Sequence, residues 1–312
     1  MMSRRLPIRK GNDCNRNMEQ SYLHCRELVK KSGSNFYYGM WLTLNKEKRD
    51  SLFAIYAWMR AIDDIADSDS PEDEKIKQLN DFYRKTEAIL NASSFDEQEL
   101  LPEDTLHSFW PAFQQTIIRY NISFSYFHDM FVGQLQSIQQ NRYENFLDLY
   151  QYCYRVAASV GLACIAIWGY KGGELTQKMA EYRGIALQLT NVVRDVSADA
   201  KNGKLFIPLE WVEHDEDISH QMVVDNEEEV IKAVNEIISQ AEHYYEKSRQ
   251  LERHVSRTGS LSLRVMTKTY FSLLKKIKKN PQLILENRKI KLNRFEKLST
   301  CFSGIVQWCV KG

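Results

Sequence analysis

Residues 52–67, LFAIYAWMRAIDDIAD, carry apolar side chains at a helical period, with Asp63 and Asp67 four positions apart. At 3.6 residues per turn the two carboxylates stand on one face, one turn apart. With Tyr56 as origin, Arg60, Asp63 and Asp67 fall in a wedge of roughly 60°. Leu52, Ile55, Met59, Ile62 and Ala66 flank that wedge, so the polar groups border a core stripe rather than an open surface. A second stretch, residues 188–199 (QLTNVVRDVSAD), repeats the design. Gln188, Asn191, Asp195 and Asp199 share roughly 80° of helix surface, next to Leu189, Val192, Val193 and Val196. Two such rods facing each other across a bundle place four hard oxygen donors around a cavity. That set suits Mg²⁺ ions gripping a diphosphate, and hence the departure of a diphosphate leaving group. Neither stretch has the central Gly and alternating ligands of a calcium loop.

The rest of the chain agrees with a helical protein. Its 312 residues are 43% hydrophobic and 27% charged, with only 13 Gly and 6 Pro, and no strand alternation persists. The prediction is an all-α, single-domain bundle over residues 18–312 with a central cavity, preceded by a loose arm at 1–17. Ser70-Pro71-Glu72 and Pro102-Glu103-Asp104 read as helix starts. The KNGKLFIP segment, 201–208, reads as a turn followed by extended chain, and is placed to act as a lid.

Charge excludes some classes of partner. The net charge of +1 gives no case for nucleic acid, yet from Arg264 onward twelve Lys and Arg face two acids. The six cysteines and seven histidines show neither metal spacing nor a disulfide framework, and no secretory leader is visible, so a reducing cytoplasm is expected. The longest apolar runs are too short to span a bilayer. Peripheral membrane contact is the remaining expectation. No Gly-rich turn follows a strand, so nothing supports a built-in NADPH site.

Three segments, SGSNFYYGMWLTLNKEKRDSLFAIYAWMRAIDDIAD (32–67), YCYRVAASVGL (152–162) and QLTNVVRDVSADAKNGKLFIP (188–208), together resemble the squalene/phytoene synthase family. Within it, the bacterial presqualene diphosphate synthases of hopanoid and C30 carotenoid pathways are the nearest likeness. The resemblance implies the isoprenoid-synthase helical fold and head-to-head joining of two prenyl diphosphates, by a monomer or homodimer using two to three Mg²⁺ ions. It implies metal binding by Asp63, Asp67, Asn191, Asp195 and Asp199, with Gln188 beside them. Arg60, Arg194, Lys204, Arg264 and Ser34 would hold diphosphate oxygens; Tyr56, Tyr152, Tyr270 and Phe36 would line the tunnel. Val156, Ala157 and Gly161 would keep one wall thin. Trp41 and Phe53, if they face inward, would shorten the tunnel and favour C15 farnesyl over C20 geranylgeranyl chains. NADPH would matter only if squalene were the product. A phytoene synthase and an inactive assembly factor of the same fold are the alternatives. One departure stands out: where relatives carry an acid in a GMxMDL pattern, this chain reads Gly133-Gln134-Leu135-Gln136-Ser137-Ile138.

Overall fold

The computed structural model describes residues 11–32, 35–91, 108–212, 219–286 and 290–311. They form helices α1 (Gly11–Lys31), α2 (Asn35–Trp41), α3 (Lys46–Ala66), α4 (Glu72–Asn91), α5 (Trp110–Tyr120), α6 (Phe124–Gln139) and α7 (Phe146–Cys153). A π-helical turn, Tyr154–Ala158, leads into α8 (Ser159–Trp168). Then come α9 (Gly173–Lys201), α10 (His220–Asp225), α11 (Glu227–Lys247), α12 (Leu251–His254), α13 (Arg257–Lys279) and α14 (Arg294–Lys311). Among the described residues only two isolated β-bridges occur, Tyr143 with Pro208 and Tyr170 with Val255. The all-α expectation holds. Residues 11–17, expected in the arm, form the first two turns of α1, and α4 begins at Glu72, just after Pro71. The start expected at Pro102 lies outside the described residues.

Local chemistry sets several boundaries. Asn45 caps α3, its side chain accepting from the Lys48 amide at 2.9 Å. At the other end Asp67 is the first residue past the helix, and its amide still bonds the Asp63 carbonyl at 2.8 Å. Gly169 ends α8 at φ 79°, a conformation few other residues tolerate.

Two hydrophobic cores result. One packs α1, α3, α4, α5, α6 and α8; the other packs α7, α9, α11 and α13. Val156, in the π turn, touches both. Gly184 on α9 lets that turn approach, since a Cβ there would lie 2.5 Å from the Ala158 Cα. The long helix α9 thus runs between the cores, and the space beside it is the central cavity.

Candidate active site: a two-lobed cavity

The cavity has an apolar lobe of about 660 Å³ and a polar lobe of about 740 Å³. Asp63, Met130, Val156, Gln188, Asn191 and Arg194 line both, so the lobes meet at the acidic helices. Asp63, Asp67, Asp195 and Asp199 all line the polar lobe, with Lys204 and Tyr152. The two acid pairs therefore face one space, as their positions on α3 and α9 predict. Asp67, just past the end of α3, is the most exposed of the four.

The electrostatics of this lobe are unbalanced. Removal from water, together with the charge of Asp67, pushes the Asp63 carboxyl up to about 7. Removal from water and the neighbouring Asp195 push Asp199 up to about 7, although Lys204 and Arg194 pull it down. Two carboxylates held this uncomfortably are favourable sites for added positive charge. The Oδ1 of Asn191 is buried with no hydrogen-bond partner, while its Nδ2 donates to Gln188 Oε1 at 3.1 Å. An orphaned hard oxygen between two acid pairs fits a Mg²⁺ ligand set. Among the described residues no three acids, histidines or cysteines converge tightly enough to hold an ion unaided. Diphosphate oxygens would complete the shell.

Cationic groups stand ready around these acids. Arg194 forks onto both oxygens of Asp195, with its Nε at 2.8 Å, and also bonds the Tyr270 hydroxyl. Arg60 pairs with Asp64, the residue next to Asp63, and borders the apolar lobe. The Lys204 amide donates to the Asp199 carbonyl at 2.9 Å, fixing the lysine at the rim of the polar lobe. The segment after it is stitched down: the amides of Leu205, Leu209 and Glu210 donate to the carbonyls of Asn141, Tyr143 and Glu144 at 2.8, 2.8 and 3.1 Å. The lid expected there is instead an anchored strap.

The apolar lobe is lined by Phe36, Tyr56, Val156, Ala157, Gly161 and Tyr270, among others. Phe36 stacks on Tyr270 at 5.2 Å and leans on Tyr56 at 6.3 Å, making an aromatic collar below the acids. Burial pushes the Tyr270 hydroxyl up to about 12 despite Arg194, and lifts Tyr152 well above its ordinary value, so both stay neutral phenols.

Three expected site residues fall elsewhere. Trp41 and Phe53 line neither lobe: they pack with Tyr37 at 6.1 and 5.8 Å, and Trp41 is 38% exposed beneath the Arg49 guanidinium. Each sits one step, about 100°, round its helix from a residue that does line the lobe, Met40 and Leu52 respectively. Arg264 also misses the cavity. It lies six residues, about 240°, from Tyr270 on α13, and its charge acts on Glu252. Ser34 lies outside the described residues.

Other residues were not foreseen. Trp168 closes the far end of the apolar lobe with Met40, Leu52, Leu251 and Leu263. It is buried and held by a hydrogen bond to Thr43 at 3.1 Å. Gln134, at the departure from the GMxMDL pattern, is buried, lines the polar lobe and donates its amide to Asp63. A polar i, i+3 pair, Gln134 and Ser137, on the mostly apolar face of α6 is the only trace of this in the sequence.

Comparison with known proteins agrees with this geometry. Residues 29–296 match the family described as squalene/phytoene synthase. A 15-cis-phytoene synthase of Synechocystis is 28% identical over 286 residues, covering 87% of this chain and 80% of that protein. Another, from Synechococcus elongatus, is 32% identical over 207 residues, 62% of each chain. In three dimensions the chain is similar to a dehydrosqualene synthase crystal structure: TM-score 0.75, 23% identity, 95% of this chain and 99% of that one.

Proposed function

The chain belongs to the squalene/phytoene synthase family of prenyl-transferring enzymes, and from that premise we propose that it joins two C15 farnesyl diphosphates head to head into presqualene diphosphate. Depth of the apolar lobe carries the chain length. From Asp63 to Leu52 on α3, and from Asn191 to Ala180 on α9, the wall descends eleven residues, about 16 Å. The diphosphate sits in the polar lobe, above that depth. At the reach per bond of an extended backbone, a farnesyl main chain spans about 13 Å and a geranylgeranyl chain about 18 Å. The shorter chain fits above the Trp168 floor.

In the proposed reaction Asp63 and Asp67 on one side, and Asn191, Asp195 and Asp199 on the other, are the residues that would hold Mg²⁺. A divalent cation there stabilises the charge that builds on the departing diphosphate. Arg194, Arg60 and Lys204 add fixed positive charge to the same oxygens. The C1–O bond of one substrate breaks, and both electrons leave with diphosphate. The resulting allylic cation faces Phe36, Tyr56 and Tyr270, whose rings stabilise it by about 1–2 kcal/mol each without reacting. Burial keeps Tyr270 a neutral phenol, and the packed walls exclude water that would quench the cation. The π pair of the second substrate forms the new C–C bond, and the electrons of a C–H bond close a cyclopropane as its proton passes to the released diphosphate.

A C20 reading, with two geranylgeranyl diphosphates giving a phytoene-type product, is favoured by the likeness to phytoene synthases. Incubation with Mg²⁺ and each diphosphate, with and without NADPH, followed by product identification, separates the two. A kcat/KM at least tenfold higher for farnesyl diphosphate is expected, and the reverse preference would install the C20 reading.

A further inference from the structure

Helix α14 packs one side against α13, where Gly304 meets Val265 and the Trp308 indole donates to Ser260 at 3.0 Å. Its other side is apolar and, among the described residues, uncovered. Phe295 (84% exposed), Leu298, Phe302 (69%), Ile305, Val306 and Val310 (77%) lie within an arc of about 140°. A band of this kind on one face of a helix that packs its other face on the protein is the pattern of a helix lying in a membrane surface. No helix among the described residues is long and apolar enough to cross a membrane.

Three observations select the occupant. First, α13, α14 and the chain between them carry the surplus of ten positive charges counted from Arg264. Two copies docking band to band would bring like charges together, whereas an anionic lipid surface complements them. Second, the first turn of α13 contacts Trp308 of α14 on one side and the chain that follows α2 on the other. The Arg257 guanidinium lies 4.7 Å over Trp308, and Thr258 accepts the amide of exposed Leu44, next to exposed Trp41 and Tyr38. Tryptophan and tyrosine concentrate at the boundary between lipid and water. Third, Ile290, Lys291 and Leu292, just before α14, and Lys297 within it, line the apolar lobe. The reaction chamber therefore has a wall at the base of this helix.

We infer that the outer face of α14 docks onto an anionic lipid bilayer, which brings the Ile290–Leu292 wall of the apolar lobe close to the membrane. That the lobe holds a lipid product rests on the proposed condensation; docking itself does not.

The experiment is vesicle flotation of the full chain without substrate, using phosphatidylcholine alone and phosphatidylcholine with a minority of phosphatidylglycerol. The protein is expected to float with the anionic vesicles, to float less with neutral ones, and to be released by high salt. The double substitution Phe302→Ser/Val306→Ser is expected to weaken partitioning roughly tenfold or more, with unchanged melting and unchanged turnover in detergent. Val310→Asp, at the far end of the helix, serves as a second test if the double variant does not fold. Three results would overturn the inference: wild-type protein left in solution with both vesicle types, variants that float equally well, or a dimer that these substitutions split. Loss of floating with activity intact removes only the docking; floating without any prenyl condensation removes only the functional reading.

Discussion

Gln134 donates its side-chain amide to Asp63, an acid 71 positions earlier in the chain. That hydrogen bond favours the charged form of a carboxylate that its surroundings drive toward neutrality. It also fixes the direction of one of the two carboxylate oxygens.

Replacement by Leu at this position removes the donor while keeping the volume. Gln134→Leu is expected to raise the Mg²⁺ concentration needed for half-maximal rate by about tenfold, the size usual for partners of metal ligands. Gln134→Asn, which keeps the amide on a shorter arm, should recover part of it. An unchanged Mg²⁺ titration for both would show that Asp63 needs no orientation from α6.

The second acid pair gives a test independent of turnover. Mg²⁺ with inorganic pyrophosphate should raise the melting temperature of the wild type. Asp199→Asn and Asn191→Ala should abolish most of that rise, and Asp199→Asn should lower kcat by about a hundredfold or more. A full thermal shift in both variants would remove these residues from the metal site. Chelation should stop turnover and reverse on restoring Mg²⁺.

The proposed C15 reading makes Trp168 the floor of the apolar lobe. Trp168→Leu is expected to shift the ratio of geranylgeranyl to farnesyl turnover upward by about tenfold, with some loss of stability because the ring is fully packed. Trp41→Ala should leave the ratio unchanged. The opposite pair of outcomes would move the floor back to α2.

Arg183 and Glu252 form a buried ion pair at 2.6 Å, with the Arg183 side chain also held by Ser248 and Thr267. Burial pushes the Glu252 carboxyl up, but the charge and hydrogen bond of Arg183 outweigh it, so the net shift is downward from 4.5. A depressed carboxyl contributes stability that is present above 4.5 and is lost as pH falls through its lower, folded-state value. Denaturation curves should therefore show wild-type stability falling below pH 4.5 more steeply than that of Glu252→Gln. Near neutrality Glu252→Ala should cost about 3–5 kcal/mol, because it strands a buried guanidinium. Equal acid slopes would reject the pair as the source.

Much of the site was legible because helical periodicity converts spacing into direction. Asp63 and Asp67, and Asn191, Asp195 and Asp199, share faces by arithmetic alone, and they do line one lobe. The same arithmetic does not tell which flank of a buried helix meets a void. Leu52 and Phe53 are both fully packed, yet only Leu52 borders the lobe. Trp41 and Arg264 fail for that reason. Gln134 and Trp168 were hidden because their roles depend on partners 71 and 125 positions away. The π turn at Tyr154–Ala158 has no sequence mark, since its extra residue is absorbed by packing against α9.

The strap from Lys204 to Glu210 is sewn to the loop before α7 by three backbone bonds. Its ordering entropy is therefore settled when the chain folds, not when a ligand arrives. The backbone that carries Lys204 is laid down with the fold, so an anion at the polar lobe would meet a cation whose mooring is already in place.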